Sequence, residues 1–85
     1  MKDKMYLVVN NWSEEDSGNV DMETFMLFSK IEDARCYFNE KKEEIINNNY
    51  GYDNIEEEED YYCESVNGEY LYYHDLVYIR EIEVN

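Results

Sequence analysis

The sequence has no proline, and only three glycines, two cysteines and seven Lys or Arg residues among its 85 positions. Each scarcity excludes something. Without proline, the chain lacks one of the usual devices that keep a sheet edge from pairing with a foreign strand. Three unclustered glycines cannot build a glycine-rich phosphate loop. Cys36 and Cys63 are too few and too widely spaced for a disulfide framework, and with His74 they lack the close spacing of a structural zinc site. Both are read as small buried hydrophobes. No apolar run approaches the length of a membrane span. Met5 to Val9 is too short for the apolar part of a signal peptide and no small-residue cleavage site follows it, so a reduced cytosolic compartment is expected.

Positive charge is scarce in a particular place. No Lys or Arg lies between Lys42 and Arg80, whereas that stretch holds eleven acids: Glu43, Glu44, Asp53, Glu56, Glu57, Glu58, Glu59, Asp60, Glu64, Glu69 and Asp75. The whole chain carries a formal charge of −15. Such a field repels nucleic acid and anionic membranes and attracts basic protein surfaces or cations. The chain is nevertheless 44% apolar and 16% aromatic, with ten tyrosines, which is too much for a disordered polymer. One folded domain with a thin core is expected.

Local patterns then predict the elements. Met5–Val9 and Thr24–Phe28 read as two apolar strands, paired across a polar loop over Asn10–Asp21. Ser29 and Glu32 fit a capping box, and a helix is expected to about Ile46, with Ile31, Ala34, Phe38 and Ile45 on one face and the Lys41 stem filling the gap. Tyr50–Asp60 reads as an acidic loop. Asn67-Gly68 is the preferred pair for a two-residue hairpin turn, which sets Val66 opposite Glu69 and Cys63 opposite Tyr72. On that register Tyr61, Cys63, Tyr70 and Tyr72 form the acid-free face, expected to be the core side. Leu76–Val84 is the last strand, with a bulge near Arg80 to reconcile its alternation. The resulting order is β-β-α-β-β-β, an α+β fold with one antiparallel sheet and a helix across one face.

Catalytic chemistry finds little support, and no enzyme is expected. His74 adjoins Asp75, but neighbours on a strand point to opposite faces, so the pair is badly placed for general base work. No nucleophile is tied to the histidine by spacing. An EF-hand reading that starts at Asp53 fails, because its third position is Ile55 and its sixth is Glu58. Neither a metal nor another cofactor is expected.

The acidic run remains. Glu56, Glu57, Glu58, Glu59 and Asp60, extended by Glu64, are the candidate phosphate substitutes. If part of the run were strand, alternate carboxylates would stand about 6.6 Å apart along one edge. Tyr62 and Tyr73 are the candidate anchors, since aromatic surface supplies the desolvated contacts that charge alone does not. Charge would speed association with a basic cleft and the rings would slow release.

In its size, its "NIEEEED" run, its Asn/Ile/Tyr/Glu/Lys-rich usage and its compact α+β order, the chain resembles the small acidic inhibitors of phages and mobile elements. Anti-CRISPR proteins and other nucleic-acid mimics belong to that class. The resemblance implies a protein of the host-cell cytosol that occupies the nucleic-acid-binding cleft of a host-defence nuclease, such as a CRISPR-associated one. It would touch neither nucleic acid nor membrane directly. An immunity protein or antitoxin that neutralises a basic toxin uses the same physics. A sponge for a nucleotide signal would have to hold an anion with cations such as Arg35, Lys41 or Arg80. Monomer and homodimer both remain open, because a Pro-free edge favours self-pairing and the net charge opposes it.

Overall fold

Two thirteen-residue strands form the spine of the molecule, a computed structural model that describes residues 3–15, 19–48, 51–67 and 72–84. The elements run β1 (Asp3–Glu15), β2 (Asn19–Phe28), α1 (Ile31–Asn48), β3 (Asn54–Glu58), β4 (Tyr61–Asn67) and β5 (Tyr72–Val84). All strand pairs are antiparallel, in the order β2-β1-β5-β4-β3. α1 crosses one face, over β1, β5 and β2. This is the α+β arrangement expected from the sequence. Strands of about 43 Å, at roughly 3.3 Å per residue, account for an elongated shape of 50 × 22 × 16 Å.

The element string is as expected, but the strands behind it differ. Most of Asn10–Asp21 is strand, not loop: β1 continues to Glu15, and β2 begins at Asn19. Its polar residues are paired across the sheet. Asn10 Nδ2 donates to the Asp75 carboxylate (3.1 Å) and to the Leu76 carbonyl (2.8 Å), and Asn11 Nδ2 donates to Asp21 (2.9 Å). Part of the acidic segment is itself β3, and the tight two-residue connection lies at Glu59–Asp60, where Glu58 pairs with Tyr61. The β4–β5 register sets Val66 opposite Tyr73 and Cys63 opposite Leu76, not Glu69 and Tyr72. Asn67 of the expected turn ends β4 and pairs with Tyr72, while Gly68, Glu69, Tyr70 and Leu71 lie outside the described residues. β5 runs in unbroken register against β1 from Tyr72 to Val84, so Arg80 needs no bulge. Val77 and Ile79 face the helix, and Ile82 and Val84 face away from it.

The core side is also reversed from expectation. Val8, Val77 and Tyr62 meet Ala34, Phe38 and Ile45 of α1, with Tyr6, Phe28, Tyr37 and Ile79 packed around them. Tyr61, Cys63 and Tyr72 therefore lie on the face that the helix leaves uncovered. The rule that acids mark the solvent side failed because Glu64 and Asp75 sit opposite each other on the covered face and are buried. α1 itself uses the apolar positions read from its periodicity, and Lys41 lies over the Tyr37 ring at 5.4 Å while pairing with Glu44. Its first backbone bond runs from Ala34 N–H to the Lys30 carbonyl, so Lys30 rather than Ser29 occupies the N-cap position. Burying each large core side chain contributes about 1.5–3 kcal/mol, which makes this small cluster the main source of stability.

Candidate functional site

β3 is a sheet edge made of "NIEEE", and every one of its residues is exposed. Pleating divides its acids. Glu57 stands on the helix side, opposite Tyr62, while Glu56 and Glu58 stand on the uncovered side, opposite Cys63 and Tyr61. An exposed strand of glutamates holds because β4 supplies its backbone partners and its carboxylates stay in water.

Two helix cations hold the other acids. Lys42 Nζ pairs with Glu57 at 2.8 Å and lies 5.4 Å from the centre of the Tyr62 ring. Arg35 spans Asp60 at 3.3 Å and Glu59 at 3.4 Å, and the Asp60 hydrogen bond and charge raise its pKa. Exposed pairs of this kind add little stability, typically about 0–1 kcal/mol. Their effect is orientation: they fix the β3–β4 turn against α1. Asp60 also accepts the Ile79 N–H through its carbonyl at 3.0 Å. Among the described residues, Glu56 and Glu58 form no ion pair. They project from the uncovered face at a spacing of about 6.6 Å.

The aromatic companions are Tyr61 and Tyr78. The sheet register forms a row across the uncovered face: Glu58, Tyr61, Tyr78, Val9 and Phe25. The Tyr61 and Tyr78 rings stack with centroids 6.4 Å apart. Two open depressions meet at Tyr61, one lined by Glu56, Glu57 and Glu58, the other by Glu58, Glu59, Asp60, Tyr78 and Ile79. Burial pushes the Tyr61 hydroxyl up to about 12, helped by the charge of and hydrogen bond to the neighbouring Cys63. The site is therefore a carboxylate edge backed by a pair of stacked phenols.

Three sequence-based candidates do not join it. Tyr62 is buried and donates from its hydroxyl to Glu64 at 2.9 Å; burial first, and then this acceptor, push its pKa up to about 12. Glu64 is buried as well, so neither side chain is presented to a partner. Tyr73 lies on the helix side, stacked on Tyr52 at 6.1 Å, away from Glu56 and Glu58. A loop reading of the run hides Tyr61 and Tyr78. Reading it as a strand with a two-residue turn puts Tyr61 opposite Glu58 at once.

Behind the edge lies the Glu64–Asp75 pair. Burial raises the Asp75 pKa, the Asn10 hydrogen bond offsets part of this, and the Glu64 charge adds to the rise. His74 points to the other face, as expected from the alternation, where its Nε2 meets Asn11 Oδ1 and its ring lies edge-on to Tyr72. Cys63 is buried, which raises its thiol pKa. Among the described residues no group of His, Cys, Asp or Glu is arranged to hold a metal, and no helix is long and apolar enough to cross a membrane. Comparison with protein-family models, with curated proteins and with solved structures finds no match to this chain.

Proposed function

We propose that this chain is a non-enzymatic inhibitor that occupies a basic nucleic-acid-binding cleft of a host-defence nuclease, in the manner of an anti-CRISPR protein, and excludes DNA or RNA by charge mimicry. The observation that carries the reading is the placement of the acidic run on an exposed sheet edge, with Glu56 and Glu58 on one face beside the stacked Tyr61 and Tyr78. A regular strand holds carboxylates at a fixed repeat, which a mobile loop does not. Rigid presentation lowers the ordering cost of binding. Glu59 and Asp60 extend the line of charge around the turn, fixed by Arg35.

The roles follow from this placement. Glu56 and Glu58 meet cationic side chains that otherwise hold phosphates, and Tyr61 and Tyr78 supply contacts that survive salt. Glu57 is spent on Lys42 and holds the edge in place. The test is displacement of a labelled oligonucleotide from purified CRISPR-associated nucleases, scored with the intact chain and with Glu56→Lys/Glu58→Lys. Displacement by the intact chain, weakened by added salt and lost in the variant, supports the reading. Equal displacement by both proteins would remove the edge from the contact.

A further inference from the structure

The edge opposite β3 has a different chemistry. Among the described residues, β2 pairs with β1 on one side only, in unbroken register from Asn19 to Phe28, and its other backbone edge is open. It has no proline, no lysine and no bulge, the usual protections of an edge. From Thr24 to Phe28 it has no charge at all in a chain of −15. Its large side chains are exposed on both faces of the sheet: Met22 (57%) and Met26 (44%) on the helix side, Phe25 (57%) and Leu27 (54%) on the other.

We infer that β2 pairs antiparallel with β2 of a second copy of this chain, joining two five-stranded sheets into one. Three observations select a second copy as the occupant. An open, extended edge takes a strand, and a strand related by a two-fold axis matches its own geometry. Charge opposes a like-charged partner least along this edge, because Thr24–Phe28 is neutral. Asp21 and Glu23 lie at one end, and Lys30, exposed and without an ion pair among the described residues, follows the other end, ahead of Glu32 and Asp33 in the first turn of α1. A two-fold axis at Met26 brings Lys30 of one copy toward Asp21 and Glu23 of the other. It also sets Phe25 against Leu27 of the second copy, on the same face.

The third observation concerns repulsion. β3 is four strands away from β2, about 19 Å at roughly 4.8 Å per strand. The two acidic edges of the joined sheet therefore face outward, separated by several Debye lengths of about 8 Å at physiological salt. A basic foreign strand would be drawn to β3 instead. The pairing leaves both β3 edges open, so it stands or falls independently of the inhibitor reading. Four partly exposed side chains per copy add up to an interface smaller than the standard size, which implies a weak dimer that strengthens as protein concentration and salt rise.

Sedimentation velocity over a concentration series, at low and high NaCl, tests this. The expected result is a species of twice the 10.4 kDa chain mass that becomes more populated in high salt. Phe25→Lys should weaken association by about tenfold or more, while Ile55→Lys on the far edge leaves it unchanged. Circular dichroism of Phe25→Lys confirms the fold. In a Cys36→Ser background, Met26→Cys should cross-link to its own counterpart, because facing Cα atoms in antiparallel pairs lie within about 4.5–5.5 Å, inside disulfide range. A monomer at every concentration and salt overturns the inference. So does a dimer that ignores Phe25→Lys and fails to cross-link through Met26→Cys.

Discussion

The two edges of this sheet are opposites. β3 presents Glu56, Glu57 and Glu58, and cations of α1 secure it through Glu57, Glu59 and Asp60. β2 presents Met22, Phe25, Met26 and Leu27, and is tied to the rest of the fold through Asn11 to Asp21 and through the Phe28 ring on Tyr37. Among the described residues, both edges leave backbone groups unpaired. Charge on β3 discourages any further strand and favours a cationic groove, whereas β2 carries charge only at Asp21 and Glu23 and none from Thr24 to Phe28. A small protein can thus carry two separate interaction chemistries about 19 Å apart on one sheet. The contrast also reaches inward. Behind β3 lie the buried acids Glu64 and Asp75, on the side of the sheet away from β2 or at its centre.

The contrast can be broken most forcefully at β3. Glu56→Lys/Glu58→Lys should reduce nuclease affinity by about 100-fold or more, on the scale of a lost group of charge contacts, with the melting curve nearly unchanged because both residues are exposed. Phe25→Lys at β2 should leave that affinity within about twofold, a change below the tenfold step worth 1.4 kcal/mol. An oligonucleotide-displacement titration of the three proteins measures both. Comparable losses from both edges would mean that they do not act separately.

The support behind β3 comes next. Tyr62→Phe deletes the hydroxyl that donates to buried Glu64 and should cost about 1–3 kcal/mol in urea unfolding. Among the described residues, β1, the strand next to β2, carries no buried carboxylate, whereas β4, the strand next to β3, carries Glu64. Replacing both partners, with Glu64→Gln added, should recover part of the loss. No recovery would show that the hydroxyl acts by packing alone.

A smaller effect follows from Asp75. Its pKa is raised, chiefly by burial, so the folded chain binds this proton more tightly than the unfolded chain. Its contribution to stability therefore rises as pH falls from neutrality and levels off below the ordinary carboxylate value of about 4. Asp75→Asn, which keeps an acceptor for Asn10, should raise the denaturant midpoint at neutral pH, and the gain should vanish near pH 4. A gain that is constant with pH would trace to something other than ionisation. The smallest effect belongs to Lys42→Met, which removes the pair with Glu57 and the contact with the Tyr62 ring but keeps an apolar stem. A loss of about 0.5–1 kcal/mol is expected. Added salt should weaken wild type toward the variant.

Much of the helix was legible in the sequence, because Ala34, Phe38 and Ile45 repeat at helical spacing and nothing interrupts them. The strands were legible only where they are apolar. Asn10 and Asn11 read as loop because their polarity is satisfied by residues more than sixty positions away, such as Asp75 and His74, and in the case of Asn11 by Asp21 on the adjacent strand. Glu56 to Glu58 read as loop for a related reason. An edge strand has no covered face to impose alternation, so burial leaves no trace in its sequence. The acidic run itself is legible in the sequence, whereas the tyrosines that stand beside it are not. Choosing between Tyr61 and Tyr62 requires knowing which face the helix covers.

By itself, the sequence settled the sign and size of the charge, the position of the helix and the α+β class, since these depend on composition and short-range periodicity. The tertiary structure alone decided which face became the core, which acids were buried and which tyrosines stand beside the exposed ones. Those outcomes depend on strand register, and a shift of one residue in register turns every side chain to the opposite face.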